Sequence, residues 1–340
     1  MTSQILNIGL IGAGRIGKVH AANLTTRIPS ARIVAVADVM EEAARQCAQQ
    51  FGISTAVNDY HKLLENPDIT AVVICSATDT HARIIGEAAQ AGKQIFCEKP
   101  ISFDLATIDQ ALQAVAQAGV KLQVGFNRRF DSNYARIRQA IVQGEIGQLS
   151  LLHIISRDPA PPPIEYVKVS GGLFMDMTVH DFDMARFLTG SEVEEVYAAA
   201  TVMVDPAIGE AGDVDTAVIT LKFENGIIGT IDNSRQAIYG YDQRVEVLGN
   251  LGGANTENNY PNSAVISGRQ SIYRDLPLNF FMERYTESFV AEMSAFVDAV
   301  LNDKPVPVTG QDGRATALLA LACRKSYLEN RPVKLKEIEN

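Results

Sequence analysis

The sequence predicts an α/β chain in two parts: a doubly wound parallel sheet, then an α+β domain on a large, mainly antiparallel open sheet. Three observations carry that expectation. Short apolar runs alternate with helical stretches through the first 125 residues, one of those runs stops at a glycine-rich turn that opens a helix, and after Phe126 the pattern changes to longer alternating strands joined by turn residues. At 340 residues the chain also exceeds what one ordinary core organises. The division is placed at 1–125 and 126–340, with the last helices candidates to pack back on the first part.

Residues 5–12 (ILNIGLIG) form an apolar run that stops at glycines, as a buried parallel strand does. A helix follows to about Leu24, then a strand RIVAVAD (32–38) and a helix over Glu41–Phe51. AVVICS (71–76) reads as a strand, 80–91 as a helix, IFCEK (95–99) as a strand end, Leu105–Ala118 as a helix and KLQVGF (121–126) as a strand. Strands and helices alternating at this spacing give a parallel sheet whose right-handed crossovers align the C-terminal strand ends along one edge. Beyond it come a helix near 133–143 and strands LSLLHIISRD (149–158), EEVYAAATVMV (194–204), TAVITLKFENG (216–226) and RVEVLG (244–249). Glu224-Asn225-Gly226 favours a hairpin, PAPPP (159–163) is a short rigid loop, and helices over about 283–302 and 311–329 close the chain.

Apolar residues make up 46% and charged residues 21%, as in a globular protein, and the net charge of -10 argues against nucleic acid and anionic lipid as partners. A neutral substrate meets no electrostatic penalty at such a surface. No apolar run approaches the roughly 20 residues that span a bilayer. Cys47, Cys75, Cys97 and Cys323 are scattered, without a C-x-x-C pair or a Cys/His cluster, so buried thiols in the reducing cytoplasm are expected and a zinc site is not.

Gly12-Ala13-Gly14-Arg15-Ile16-Gly17 is a G-x-G-x-x-G directly between strand and helix, the Rossmann context that gives the pattern its meaning. Gly12 permits the tight turn, Gly14 lets a pyrophosphate reach the backbone, and Gly17 lets helix and strand pack closely. Arg15 and Ile16 open the helix whose free N–H groups would meet the phosphates. Asp38 ends the second strand, where its carboxylate can accept from ribose hydroxyls and repel a 2′-phosphate, which neither Val39 nor Met40 could grip. The expected cofactor is therefore NAD rather than NADP.

In 173–189 (LFMDMTVHDFDMARFLT), read as a regular helix, Asp176, His180 and Asp183 share one stripe, while Thr178 and Asp181 lie well round and could face water. A carboxylate and an imidazole at i, i+4 could share a proton. Equally, Asp176 could complement a helix N-terminus and His180 could be a satisfied core residue; spacing alone does not choose. The other histidines show no comparable carboxylate partner. Cys97-Glu98-Lys99-Pro100 falls at a strand's C-terminal end, where doubly wound sheets place ligands, although local residues alone read Lys99 as an ordinary surface lysine.

These motifs, with ATDTH (77–81), CEKP (97–100) and GG-x3-D-x3-H from Gly171 to His180, resemble the Gfo/Idh/MocA oxidoreductase family over nearly the whole chain. GFNRRFD (125–131), SRDPAPPP (156–163), GEAGDVDTAV (209–218) and YGYDQRVEV (239–247) are similar to its inositol 2-dehydrogenase branch. The resemblance implies an NAD-dependent dehydrogenase of a cyclic polyol, myo-inositol in first place, with scyllo-inositol or a sugar such as glucose as the runner-up. It implies Lys99, Asp176 and His180 as the catalytic set, with a cis Lys-Pro link aiming Lys99. Thr78, His81 and Glu98 fall near the cofactor, and Asn127, Arg157, Asp158, Asp183 and Tyr239 toward the substrate. It also implies a homotetramer formed through the open sheet. A dinucleotide-binding sensor is the rival class, and the intact acid–base set argues against it.

Overall fold

The computed structural model describes residues 4–339. It divides into two compact units, one running to Phe130 and including Glu287–Ala317, the other comprising Asp131–Thr286 and the chain from Leu318 onward.

The first unit is built on β1 (Leu6–Ile11), β2 (Ala31–Ala37), β3 (Thr55–Val57), β4 (Ala71–Ile74), β5 (Gln94–Cys97) and β6 (Leu122–Val124), all parallel in the order β3-β2-β1-β4-β5-β6. The order reverses beside β1, which puts the switch point next to the glycine turn. Continuous apolar runs are buried on both faces, as with all four residues of β4. Met293, Phe296 and Val297, from the helix Thr286–Leu301, join Leu6, Ile8, Leu10, Val36, Val73 and Phe96 in one core.

The second unit carries β7 (Leu149–Arg157), β8 (Val193–Thr201), β9 (Thr216–Phe223), β10 (Ile228–Ser234), β11 (Asp242–Gly249), β12 (Gly252–Asn255), a separate hairpin of β13 (Val265–Ser267) and β14 (Ile272–Arg274), and β15 (Val333–Lys334). Seven of these form one sheet in the order β12-β11-β7-β10-β9-β8-β15. Every pairing in it is antiparallel except β7 with β10. β9 shows the half-buried alternation cleanly, with Ala217, Ile219, Leu221 and Phe223 inward. The hairpin turn expected at Glu224–Gly226 joins β9 to β10, with Gly226 at φ +87.

The strand expected to reach residue 204 stops at Thr201, because a buried carboxylate pulls the chain out of the sheet. Asp215 accepts from the backbone N–H of Met203 at 2.8 Å, Val204 at 2.8 Å and Asp205 at 3.1 Å, and from the Thr216 hydroxyl at 2.9 Å. Burial alone would raise its pKa, but these donors hold it below the usual carboxylate value.

Asp215→Ala should lower stability by about 2–3 kcal/mol in urea denaturation, because three backbone N–H groups lose their shared acceptor. A depressed folded-state pKa gives stability that is present above the ordinary carboxylate value and lost as pH falls through the folded one. Wild type should therefore lose this margin in acid, and the difference from the variant should shrink there.

Candidate active site

In the first unit the glycine turn is set by steric exclusion. Gly12 adopts φ +99, and a Cβ there would lie 2.5 Å from the Cys75 carbonyl oxygen; a Cβ on Gly17 would lie 2.1 Å from the Gly12 oxygen. Gly14 faces open space, with nothing within 4 Å of where a Cβ would be. The helix Arg15–Thr26 begins here, with Gly14 as its N-cap and Arg15 exposed. Asp38 bridges the turn from below, accepting from Ala13 N–H at 2.7 Å and Met40 N–H at 2.9 Å. Each carboxylate oxygen keeps a further lone pair for a ribose hydroxyl.

Thr78 starts the helix Thr78–Gln90, and His81 lies within it, buried. The two His81 ring nitrogens lie 2.9 Å from the Pro100 carbonyl oxygen and 3.0 Å from that of Ser76. Burial pushes the His81 pKa down, so the neutral ring donates its single N–H to one of these two carbonyls at a time. Lys99 follows β5, half-buried, and its link to Pro100 is cis, as the resemblance implies. Glu98 turns inward, with Oε1 2.7 Å from His20 Nε2. His20 thus has a carboxylate partner that its own neighbours in sequence do not reveal, whereas His61 has one two residues away, Asp59, at 2.6 Å. Asn127 is buried in the short helix Asn127–Phe130.

In the second unit the helix bearing Asp176 and His180 departs from regular α geometry. Gly171 and Gly172 turn the chain at φ +84 and +83. Leu173 N–H is then held by both oxygens of Asp213 at 3.0 Å. The first turn, Phe174–Thr178, is a π-helix, and α geometry resumes over Val179–Thr189. Widened turns of this kind recur at functional sites because they re-aim side chains. They also undo the regular stripe: Thr178 and Asp181, expected toward water, are both fully buried. Asn233 of β10 explains this, taking the Thr178 hydroxyl at 2.6 Å and donating to Asp181 at 2.9 Å. Asp183 is likewise buried, at 1% exposure, and His180 is half-buried.

The parallel pairing of β7 with β10 organises the polar groups around Asp176. Arg157 is in register with Ser234, so the residues just past both strand ends, Asp158 and Arg235, come side by side. Buried Arg235 lies 3.4 Å from Asp158 and 3.1 Å from Asp176. Tyr166 donates its hydroxyl to the other Asp176 oxygen at 2.8 Å. Burial opposes the Arg235 charge, and Asp176 and Asp158 more than restore it; burial and the Asp176 carboxylate push the Tyr166 phenol up. Arg157 reaches Asp232 at 3.0 Å and the Tyr239 hydroxyl at 3.1 Å, and Tyr239 in turn donates to Asp242 at 2.6 Å. Arg235 and Tyr166 were not singled out by the sequence; the one available signal is the unbroken polar run Asp232-Asn233-Ser234-Arg235 that follows Ile231.

Comparison with known proteins bears on both halves. Residues 6–126 match the oxidoreductase family model with an NAD-binding Rossmann fold, and 134–255 match the GFO/IDH/MocA C-terminal domain. The chain belongs to this family. It is 46% identical to the myo-inositol 2-dehydrogenase of Thermotoga maritima, over 98% of this chain and 99% of that one. It is 45% identical to the inositol 2-dehydrogenase of Rhizobium meliloti, over 97% and 99%. It superposes with a TM-score of 0.92 and 32% identity on the scyllo-inositol dehydrogenase of Lactobacillus casei with bound NAD(H) and scyllo-inositol, covering 98% of this chain and 100% of that one. Its cofactor is NAD, and the open approach at Gly14, the acidic Asp38 and the 89% exposed Val39 beside it suit a ribose without a 2′-phosphate.

Arg235→Met would leave two carboxylates without their buried counter-charge. The variant should lose about 3–5 kcal/mol of stability, read by chemical denaturation, whereas Arg235→Lys should recover part of it.

Proposed function

We propose that this family member oxidises a secondary alcohol of a cyclic polyol, with myo-inositol the favoured substrate and its 2-keto inositol the product. The observation that carries the reading is the joint presence, in a chain 45–46% identical to inositol 2-dehydrogenases, of a glycine-turn nucleotide unit and a helix bearing Asp176 and His180. The scyllo-inositol enzyme at 32% identity keeps that stereoisomer as the second reading.

NAD, when bound, supplies the hydride acceptor. Gly12, Gly14, Arg15, Ile16, Gly17, Asp38 and Thr78 hold the dinucleotide in this reading, while His81 and Glu98 fix the backbone around Lys99. His180 takes the hydroxyl proton. An alcohol is a far weaker acid than an imidazolium, so the proton must leave as the hydride departs, and base catalysis of this kind contributes about 10²–10⁴-fold. Asp176 orients the imidazole and balances the charge it gains. Cationic Lys99 steadies the oxygen as it turns negative, a contribution of roughly 3–4 kcal/mol for one well-placed donor. Asn127, Arg157, Asp158, Asp183 and Tyr239 pair the remaining hydroxyls. A pocket that pairs each hydroxyl rejects molecules lacking one.

The four cysteines are free and buried, which suits a reducing compartment, and we place the protein in the cytoplasm. Among the described residues no helix is long and apolar enough to cross a membrane. Leu248, Leu151 and Ile228 line up across β11, β7 and β10 on the outward face of the sheet, each about half exposed. Such a row favours burial against other copies, and we assign the chain to a homotetramer. Light scattering should give four times the chain mass, and Leu151→Arg should lower that mass; a monomeric wild type would refute the assignment.

A spectrophotometric panel of inositols and sugars should show NADH formation fastest with myo-inositol, and much slower turnover with NADP. Lys99→Met should keep NADH binding and lose at least about 10²-fold in kcat. An enzyme inert toward every inositol would refute the substrate class, and unchanged turnover in the variant would refute the role of Lys99.

A further inference from the structure

Below the nucleotide turn lies a second cluster of ionisable groups. His20 comes from the helix that the glycine turn opens, Glu98 from the end of β5, and Glu292 from the helix Thr286–Leu301. His20 and Glu292 are 0% exposed and Glu98 is 8% exposed, and one nitrogen or oxygen from each lies within 4.8 Å of the others. His20 Nε2 meets Glu98 at 2.7 Å, with the rings of Phe96 and Phe289 packed edge-on against the imidazole. Among the described residues neither carboxylate oxygen of Glu292 has a hydrogen-bond partner. A Cβ on Gly125 would come within 3.0 Å of the Glu98 carboxylate, so the backbone closes the cluster on that side.

Charge counting decides what such a cluster must contain. Two carboxylates exceed one imidazole by at least one negative charge whatever the state of His20, and an uncompensated carboxylate in an apolar interior is costly enough that such a group takes up a proton instead. The other titratable groups alongside are the thiols of Cys75, beside both glutamates, and of Cys97, beside Glu98; burial pushes both up, so they stay neutral and supply no positive charge. Gln123 of β6 contacts Glu292 through the backbone, donating to its carbonyl oxygen at 2.9 Å.

We propose that Glu292 is carried as the neutral acid, and that its proton is what lets Glu98 keep its charge beside His20 and so tie the glycine-turn helix to the strand end bearing Lys99. Glu292 is then a positioning residue; this last step rests on the role of Lys99 argued above, but the protonation state does not. Burial and the neighbouring Glu98 both push the Glu292 pKa well up, in agreement. A raised folded-state pKa means the protein is most stable, relative to a neutral side chain there, below the ordinary glutamate value. It loses that stability as pH rises toward the folded value, where the second negative charge enters the cluster.

Glu292→Gln, which has the shape of the neutral acid, tests this. The variant should fold and match wild type in mild acid. Its Tm advantage should widen with pH to at least about 2–4 °C in the alkaline range. Wild-type NADH affinity should weaken over the same interval while the variant's stays level. Infrared spectra of the wild type should show a protonated-carboxyl band at neutral pH that is absent from the variant. A Glu292→Gln protein that fails to fold, a Tm difference independent of pH, a missing carboxyl band, or one divalent metal ion per chain in the purified wild type would each overturn the proposal. Loss of Lys99 function alone, with these stability and infrared results intact, would overturn only the link to catalysis.

Discussion

The chemistry assigned to this chain depends on keeping a carboxylate charged inside protein, and the ion pair of Arg235 with Asp176, at 3.1 Å, meets that requirement. An aspartate beside a histidine is useful to a base only if it stays ionised when the histidine takes up a proton. Burial works against that state, and a guanidinium that cannot lose its proton works for it. Arg235 is itself buried and is balanced by two carboxylates rather than one, Asp158 being the second. The Tyr166 hydroxyl occupies the other side of Asp176, so the carboxylate has donors on both oxygens and little freedom to rotate.

This arrangement follows from topology. In an otherwise antiparallel sheet, the single parallel pairing of β7 with β10 brings two strand ends out at the same edge, and Asp158 and Arg235 are the first residues beyond them. The helix with Asp176 starts at two glycines in the left-handed region, where Asp213 captures its first N–H and leaves no room for a side chain at Gly172. In the nucleotide unit the same logic appears as a parallel sheet whose strand ends deliver Gly12, Asp38 and Lys99 along one edge. In both units short elements with fixed ends set the position of polar groups that no local preference would hold.

What could be read from the sequence was what is decided locally. The glycine turn is legible because Gly12 and Gly17 answer to clashes with nearby backbone while Gly14 leaves an open approach, and the parallel sheet because its strands are short and mainly apolar. Asp176 and His180 stand out as polar residues in an apolar helix. The π-turn between them does not, since it depends on Asp213, thirty-seven residues beyond Asp176. Thr178 and Asp181 looked solvent-facing for the same reason: their partner, Asn233, lies on a strand more than fifty residues away. The His20–Glu98 pair, separated by seventy-eight residues, has no sequence signature of its own.

In the proposed reaction Lys99 and His180 act on one hydroxyl oxygen. A crystal structure with NADH and myo-inositol bound measures this directly. The lysine Nζ and one imidazole nitrogen should each lie within about 2.6–3.2 Å of the same substrate oxygen. Finding them on different oxygens, or the imidazole turned away from the polyol, would contradict it.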